Sequence, residues 1–146
     1  MSGSPQGESA PLPEAAVELA GRRARIIAPL LASLATDVKN SALHDLADSL
    51  LDEAEEILIA NELDVQAAER RRVPDAILDR LTLTRARIAA LADGVREVAA
   101  LTDPVGEVLR GSRRPNGLVV QEVRVPMGVV GVIYESRPNV TVDTIS

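Results

Sequence analysis

Residues 128–134 read GVVGVIY, the segment that most constrains what this chain can fold into. Four of the seven residues are β-branched and none is charged. An apolar run of this kind is typical of a strand that is covered on both faces, as in the parallel sheet of an α/β protein. Such a strand needs strand neighbours and helices on both faces. Since the sequence supplies none after it, we expect these 146 residues to be the N-terminal part of a longer α/β protein.

The residues before this segment predict five helices. The first begins near Pro13 and carries an apolar stripe that predicts packing on its own domain, with a coiled-coil partner helix as the alternative. The stripe is Val17, Ala20, Ala24, Ile27, Leu31 and Leu34. The other four helices follow from capping and breaking residues. Thr36 or Asp37 caps the second helix, which ends near Asn61, and Asp64 caps a short third helix that runs to Arg71. Pro74 opens the fourth helix. Thr84 caps the fifth helix, which ends at Asp103-Pro104.

A hairpin follows the helices, because Pro115-Asn116-Gly117 is a turn signal between two extended segments. Beyond the apolar segment, Pro138-Asn139 ends the strand, and Thr141 or Asp143 could cap a further helix. The order is therefore five helices, a hairpin, one strand to be buried and the start of a crossover helix.

Composition excludes several classes of function. The chain has no Cys, so it has no disulfide, zinc–thiolate site or thiol nucleophile of its own. Its net charge of −6 argues against a nucleic-acid partner, and no apolar run is long enough to cross a membrane. Residues 1–13 are polar and lack the features of a secretory signal, which indicates a disordered lead in a cytoplasmic protein. The one His, His44, lies in a helical pattern, and no metal site is expected.

The polar residues that directly follow the apolar segment are the candidate site. In an open α/β sheet, ligands bind outside the carboxyl ends of the strands. Here that end carries Glu135, Ser136, Arg137 and Asn139. Arg137 can bind a carboxylate or phosphate with two hydrogen bonds, and Asn139 can donate its amide to a developing oxyanion. An ordinary polar strand end is the alternative.

The run PMGVVGVIYESRPNVTVD at 126–143 closely resembles the signature of the γ-glutamyl phosphate reductases, also called glutamate-5-semialdehyde dehydrogenases. ANELDVQAA at 60–68 and ILDRLTLTRARIAALADGVREVAALTDPVGEVL at 77–109 resemble the same family in order and spacing. The resemblance covers nearly the whole chain from about residue 14. It implies an aldehyde dehydrogenase-like α/β fold with a cofactor-binding domain, a catalytic domain and an oligomerisation hairpin. This chain is then expected to hold four segments: a disordered lead (1–13), the helical segment of the cofactor-binding domain (14–103), an oligomerisation-type hairpin (104–126), and the first strand and turn of the cofactor-binding domain, truncated (127–146).

The resemblance also implies an activity. The family reduces L-glutamyl 5-phosphate to L-glutamate 5-semialdehyde with NADPH and releases phosphate, in the synthesis of proline from glutamate. The full-length protein is expected to be a homo-oligomer. The implied mechanism uses a Cys nucleophile that lies downstream in the family, so this chain is expected to be inactive alone.

The implied site residues follow from the matching turn. Many aldehyde dehydrogenases end this strand in a W-N-x-P-like turn whose Asn stabilises the oxyanion. Aligned without gaps from Pro126, that position falls on Arg137, and the Asn of this chain comes two residues later, at Asn139. By analogy, Tyr134, Glu135 and Ser136 lie along the nicotinamide of NADP, and Arg137 and Asn139 bind the substrate. Whether Arg137 or Asn139 serves the oxyanion stays open.

Two alternatives remain at this point. Another aldehyde dehydrogenase superfamily member would act on a different acyl substrate, although the RPNVTVD run argues against it. A non-catalytic helical interaction module, or the remnant of a truncated gene, would fit the absence of Cys.

Overall fold

Residues 14–146 form six helices and one antiparallel hairpin in the computed structural model, and these are the residues that the structure describes. The predicted disordered lead at 1–13 lies outside them. The elements in chain order are α1 (Glu14–Ala32), α2 (Thr36–Asp52), α3 (Ala54–Arg70), α4 (Asp75–Leu81), α5 (Arg85–Ala99), β1 (Val108–Arg113), β2 (Val119–Val123) and α6 (Pro138–Ile145).

The core lies where α2, α5 and α6 meet. Ala47 of α2 and Ala92 of α5 are completely buried, and Val95 and Val142 join them in one cluster. Small residues at the contact let two helix backbones approach closely, so the α2–α5 pair forms the centre of the described structure. The cluster also fixes α6 to α5, which positions the residues just before α6.

The apolar stripe of α1 is largely exposed among the described residues. Val17 is 61% exposed and Leu31 is 57% exposed, and α1 buries none of its described side chains. Part of the stripe borders an open apolar cavity of about 680 Å³ between α1, α2 and the end of α5. No described residue covers this face, so the packing of α1 on its own domain stays a prediction. Periodicity identified the helix and its face, but it does not specify what covers that face.

The boundary between α2 and α3 also differs from the prediction. The chain leaves helical geometry at Glu53, and α3 then runs unbroken through Asn61 and Asp64. Asn61 is buried inside α3 rather than at a helix end. The predicted helix end near Asn61 is therefore wrong, because the Asn61 side chain binds the backbone at the end of α4 and in the loop before α5.

Capping was predicted correctly at α5 and incorrectly at α2. The Thr84 hydroxyl accepts the backbone N–H of Arg87 at 3.1 Å, as an N-cap should. The residue before α2 is Ala35, and no side chain caps that helix. Thr36 is already the first helical residue and so is not the N-cap, and its hydroxyl donates instead to Asp103 at 3.0 Å, a partner that only the tertiary structure provides.

The predicted hairpin is present. β1 and β2 pair antiparallel with an irregularity between Val108 and Arg110. The turn is closed by the backbone N–H of Gly117, which donates to the carbonyl of Arg114 at 2.9 Å. Gly117 has a φ of +87°, a conformation that favours glycine. Every residue of both strands is exposed, so the hairpin projects from the helical body.

The apolar segment has no backbone-paired strand neighbour among the described residues. Residues 125–135 make no backbone ladder with any described residue, and Ile133 is fully exposed. A β-strand requires a pairing partner, and an apolar strand requires cover. The prediction that this segment is the first strand of a parallel sheet therefore stays a prediction.

Candidate functional site

The polar residues after the apolar segment lead directly into α6. This helix begins at Pro138, with Arg137 as the preceding residue, and not at Thr141 or Asp143 as predicted. Proline suits the first helical position because its fixed φ matches the helix and its missing N–H is not needed there. The side chain of Arg137 does not cap the helix.

Ser136 is held in a left-handed conformation, with a φ of +53°. This conformation costs an L-residue about 1 kcal/mol and serves here to turn the chain sharply between the extended segment and α6. The hydroxyls of Tyr134 and Thr141 lie 2.8 Å apart and tie the end of the segment to α6. The candidate residues are thus presented on a turn that is fixed at both sides.

Arg137 and Asn139 line one open cleft of about 430 Å³. Its other walls come from the end of α4, the loop that follows and the first half of α5. The remaining lining residues are Asp79, Arg80, Thr82, Leu83, Arg87, Ala90 and Leu91. Asn139 also donates to Asp143 at 3.1 Å along α6.

The cleft is basic in an acidic chain. Arg80, Arg87 and Arg137 place three positive charges on it against the single negative charge of Asp79, whereas the whole chain carries −6. Arg87 is bound to Asp79, so Arg80 and Arg137 supply the uncompensated charge. Clustered positive charge on a concave surface attracts anions.

Arg87 fixes the wall opposite α6. Its guanidinium donates to the backbone carbonyls of Asp79 and Thr82, the latter at 2.6 Å, and to the Asp79 carboxylate at 2.7 Å. Because the guanidinium is planar and rigid, these bonds hold the end of α4 and the following loop in one arrangement. We name this wall, residues 79–87, the α4–α5 corner.

The structure brings some of the predicted site residues together and leaves others apart. Arg137 and Asn139 share the cleft, whereas Tyr134, Glu135 and Ser136 do not line it. The α4–α5 corner was missed by sequence reasoning. Its charged residues lie on amphipathic helices, where a charged residue ordinarily faces solvent, and only the packing of α6 against α5 brings Arg80 near Arg137.

Other kinds of site are not supported in the described part of the chain. Residues 14–146 contain no group of three or more His, Asp or Glu side chains placed to hold a metal ion. His44 is exposed on α2. Of the helices described, none has the length and apolar character to cross a membrane.

Known proteins resemble this chain closely. It is 53% identical over 127 residues to the gamma-glutamyl phosphate reductase of Thermobifida fusca, a match that covers 87% of this chain and 30% of the relative. The crystal structure of the gamma-glutamyl phosphate reductase of Thermotoga maritima superposes with a TM-score of 0.85 at 41% identity, over 88% of this chain and 31% of that one.

The corresponding enzyme of Saccharomyces cerevisiae has a TM-score of 0.81 at 31% identity, over 85% of this chain and 32% of that one. No family model matches the chain. The chain spans about a third of the length of these relatives. By sequence and by fold, it belongs to the gamma-glutamyl phosphate reductase family and corresponds to an N-terminal part of its members.

Proposed function

We propose that this chain contributes the N-terminal part of an enzyme that reduces L-glutamyl 5-phosphate to L-glutamate 5-semialdehyde and releases phosphate, in proline synthesis from glutamate. The observation that carries the proposal is the 53% identity over 127 residues to a reductase named for this substrate. The enzyme works in the cytoplasm as a homo-oligomer.

The residues of this chain have defined tasks in that reaction. A thiolate adds to the acyl phosphate carbonyl, phosphate leaves, and the thioester that remains is reduced to the aldehyde with release of the thiolate. The 146 residues contain no Cys, so this chain alone is inactive and the nucleophile comes from elsewhere in the protein. Arg137 and Asn139 bind the substrate from the cleft that they share. One of the two also hydrogen-bonds the oxyanion that forms on the carbonyl oxygen.

NADPH, when bound, supplies the hydride for the reduction. Tyr134, Glu135 and Ser136 lie along its nicotinamide side. The carboxylate of Glu135 and the hydroxyl of Ser136 make no hydrogen bond to another described side chain or backbone group, so both can bind a ribose or carboxamide. The rest of the cofactor would be held by residues other than these three.

The exposed apolar segment favours this proposal over a free-standing interaction module. Val130, Val132 and Ile133 are each at least half exposed, and a stable module would not leave a strand-forming run uncovered. A neighbouring strand would pair with the backbone groups of this segment, and helices packed on the sheet would cover its apolar side chains.

The test is a chimaera in which this chain replaces the matching 30% of the Thermobifida fusca reductase. The reverse reaction is followed by NADPH formation from glutamate 5-semialdehyde, inorganic phosphate and NADP. We expect activity in the chimaera, a preference for NADP over NAD, and no activity in the 146-residue chain alone. A folded chimaera without activity, beside an active parent enzyme, would contradict the proposed function.

A further inference from the structure

Two arginines of the cleft have no partner among the described residues. Arg80 lies in the last turn of α4 and Arg137 immediately precedes α6, and neither makes a hydrogen bond or ion pair with another residue of 14–146. Both line the same cleft from different walls. Two unpaired guanidinium groups facing one concavity repel each other, and an anionic ligand removes that repulsion. The arrangement therefore fits a ligand that carries more than one negative group.

The α4–α5 corner also offers a carboxylate oxygen. Asp79 uses its Oδ1 atom to accept from Arg87 at 2.7 Å, and its Oδ2 atom accepts no hydrogen bond from a described residue. The Asp79 side chain is 73% exposed at the cleft. Adjacent residues at one wall thus present a guanidinium and a free carboxylate oxygen. This pair is complementary to a zwitterionic α-amino acid, whose carboxylate accepts and whose ammonium donates.

We propose that Asp79 and Arg80 bind the α-amino-acid end of the substrate, and that Arg137 binds its phosphate end. Arg80 binds the α-carboxylate and Asp79 the α-ammonium group. Arg137 follows Tyr134, Glu135 and Ser136, which the proposed function places beside the reacting carbon, and the phosphate is attached to that carbon. The inference rests on the proposed function and adds to it the wall that determines specificity for an amino acid.

The test separates the two ends of the substrate by kinetics. In the reverse reaction of the chimaera, glutamate 5-semialdehyde carries the α-amino-acid end and inorganic phosphate is a separate substrate. Arg80→Gln should raise the KM for the semialdehyde about tenfold or more, because one charge-assisted hydrogen bond to the substrate is lost. The KM for phosphate should stay unchanged. Arg137→Gln should raise the KM for phosphate. Arg70→Gln is the matched control, because Arg70 is an exposed arginine in the last turn of α3 and does not line the cleft.

The role of Asp79 is tested with an analogue. 5-Oxopentanoate is the same aldehyde without the α-ammonium group. Asp79→Asn should raise the KM for glutamate 5-semialdehyde about tenfold and leave that for 5-oxopentanoate unchanged, whereas Arg80→Gln should impair both. Arg87 keeps its bonds to two carbonyl oxygens in the Asp79 variant, so the corner is retained.

The outcomes distinguish this inference from the proposed function. An inactive chimaera without substitutions contradicts the function itself. An active chimaera in which Arg80→Gln changes neither KM, or changes only that for phosphate, overturns the inference and leaves the function standing. A direct measurement complements the kinetics in the active chimaera: titration with L-glutamate should shift the NMR signals of the Arg80 guanidinium, and an unchanged signal at saturating concentration would argue against the assignment.

Discussion

The side chain of Asn61 accepts a hydrogen bond from the backbone N–H of Leu83, at 2.7 Å from Oδ1 to nitrogen. Its amide nitrogen donates to the carbonyl of Leu81 at 2.8 Å. Asn61 is the one polar side chain that is buried in the described structure. One side chain therefore satisfies two backbone groups of the α4–α5 corner, where helix geometry is interrupted and no backbone partner is available.

Replacing Asn61 by Ala should destabilise the chain by about 1–3 kcal/mol. The change leaves the partly buried N–H of Leu83 and carbonyl of Leu81 without the side chain that pairs with both of them. Urea unfolding of the variant measures the loss. Gln66→Ala is the control, because Gln66 lies on the same helix with an exposed hydrogen bond to Glu62. Equal stability of the two variants would contradict a structural role for the two hydrogen bonds that the Asn61 side chain makes.

Asp103 joins the start of α2 to the loop after α5. Its carboxylate accepts from Lys39 Nζ at 2.7 Å, from the Val105 N–H at 2.9 Å and from the Thr36 hydroxyl. These bonds, with that from Lys39 the strongest cause, lower the pKa of Asp103 from 3.8 to about 2. A carboxyl group whose pKa is lower in the folded chain stabilises the fold above the unfolded pKa, and this stabilisation is lost as the pH falls through the folded value.

The Asp103→Asn variant should therefore show a distinct pH profile. Its melting temperature should be below that of the parent chain at neutral pH, and the difference should shrink as the pH falls from about 4 to about 2. Circular dichroism across that range measures both chains. Asp64→Asn serves as control, since Asp64 is exposed on α3 and accepts no hydrogen bond from another described residue outside its helix. If the melting temperatures of the parent and of Asp103→Asn differed by the same amount at every pH, the ionisation of Asp103 would not contribute to stability.

Much of the fold follows from local sequence signals. Thr84 caps α5 by accepting from a residue three positions later, and Pro115-Asn116-Gly117 forms a turn through bonds within the turn itself. Because both interactions are local in sequence, both features were predicted correctly. The errors involve partners distant in sequence. Thr36 is engaged by Asp103, 67 residues away, and Asn61 by the α4–α5 corner, about 20 residues away. Neither partner can be identified from the residues beside Thr36 or Asn61.

The candidate site was predictable for one wall only. Arg137 and Asn139 follow an apolar segment, and a polar cluster at that position indicates the edge of a sheet. Arg80 carries no comparable signal, because a charged residue near a helix end is ordinary. Its relation to Arg137 depends on Ala92, Val95 and Val142, whose packing joins α5 to α6.

Arg87→Lys should loosen the α4–α5 corner without unfolding the chain. A lysine ammonium is a single point on a flexible stem and cannot span the three oxygen atoms that the guanidinium binds. We expect the amides of Thr82 and Leu83 to exchange hydrogen about tenfold faster, while amides of α2 stay protected. NMR hydrogen exchange gives both values. Arg96→Lys, which changes a paired arginine on the same helix away from the cleft, should leave Thr82 and Leu83 unaffected. Unchanged exchange of the Thr82 and Leu83 amides in Arg87→Lys would mean that the two hydrogen bonds of Asn61 are enough to hold the α4–α5 corner.

The segment at 125–134 should make the 146-residue chain self-associate. Val125 is 76% exposed, Met127 is 89% exposed, and Ile133 is fully exposed, next to backbone groups without ladder partners. A contiguous apolar surface with free backbone hydrogen-bonding groups is a template for pairing with another chain. Light scattering across a concentration series should therefore show a mass above that of the 15.5 kDa monomer.

The variant Val130→Asp with Ile133→Asp should restore the monomer mass, because two charges on the segment oppose both burial and pairing. The control is Leu63→Asp with Leu101→Asp, which adds the same charge at two exposed apolar residues outside the segment, 62% and 67% exposed in the parent. If the control dissociates the chain equally well, net charge rather than the segment governs association. If the parent is monomeric at every concentration, the free backbone groups of the segment are satisfied by water and do not drive pairing.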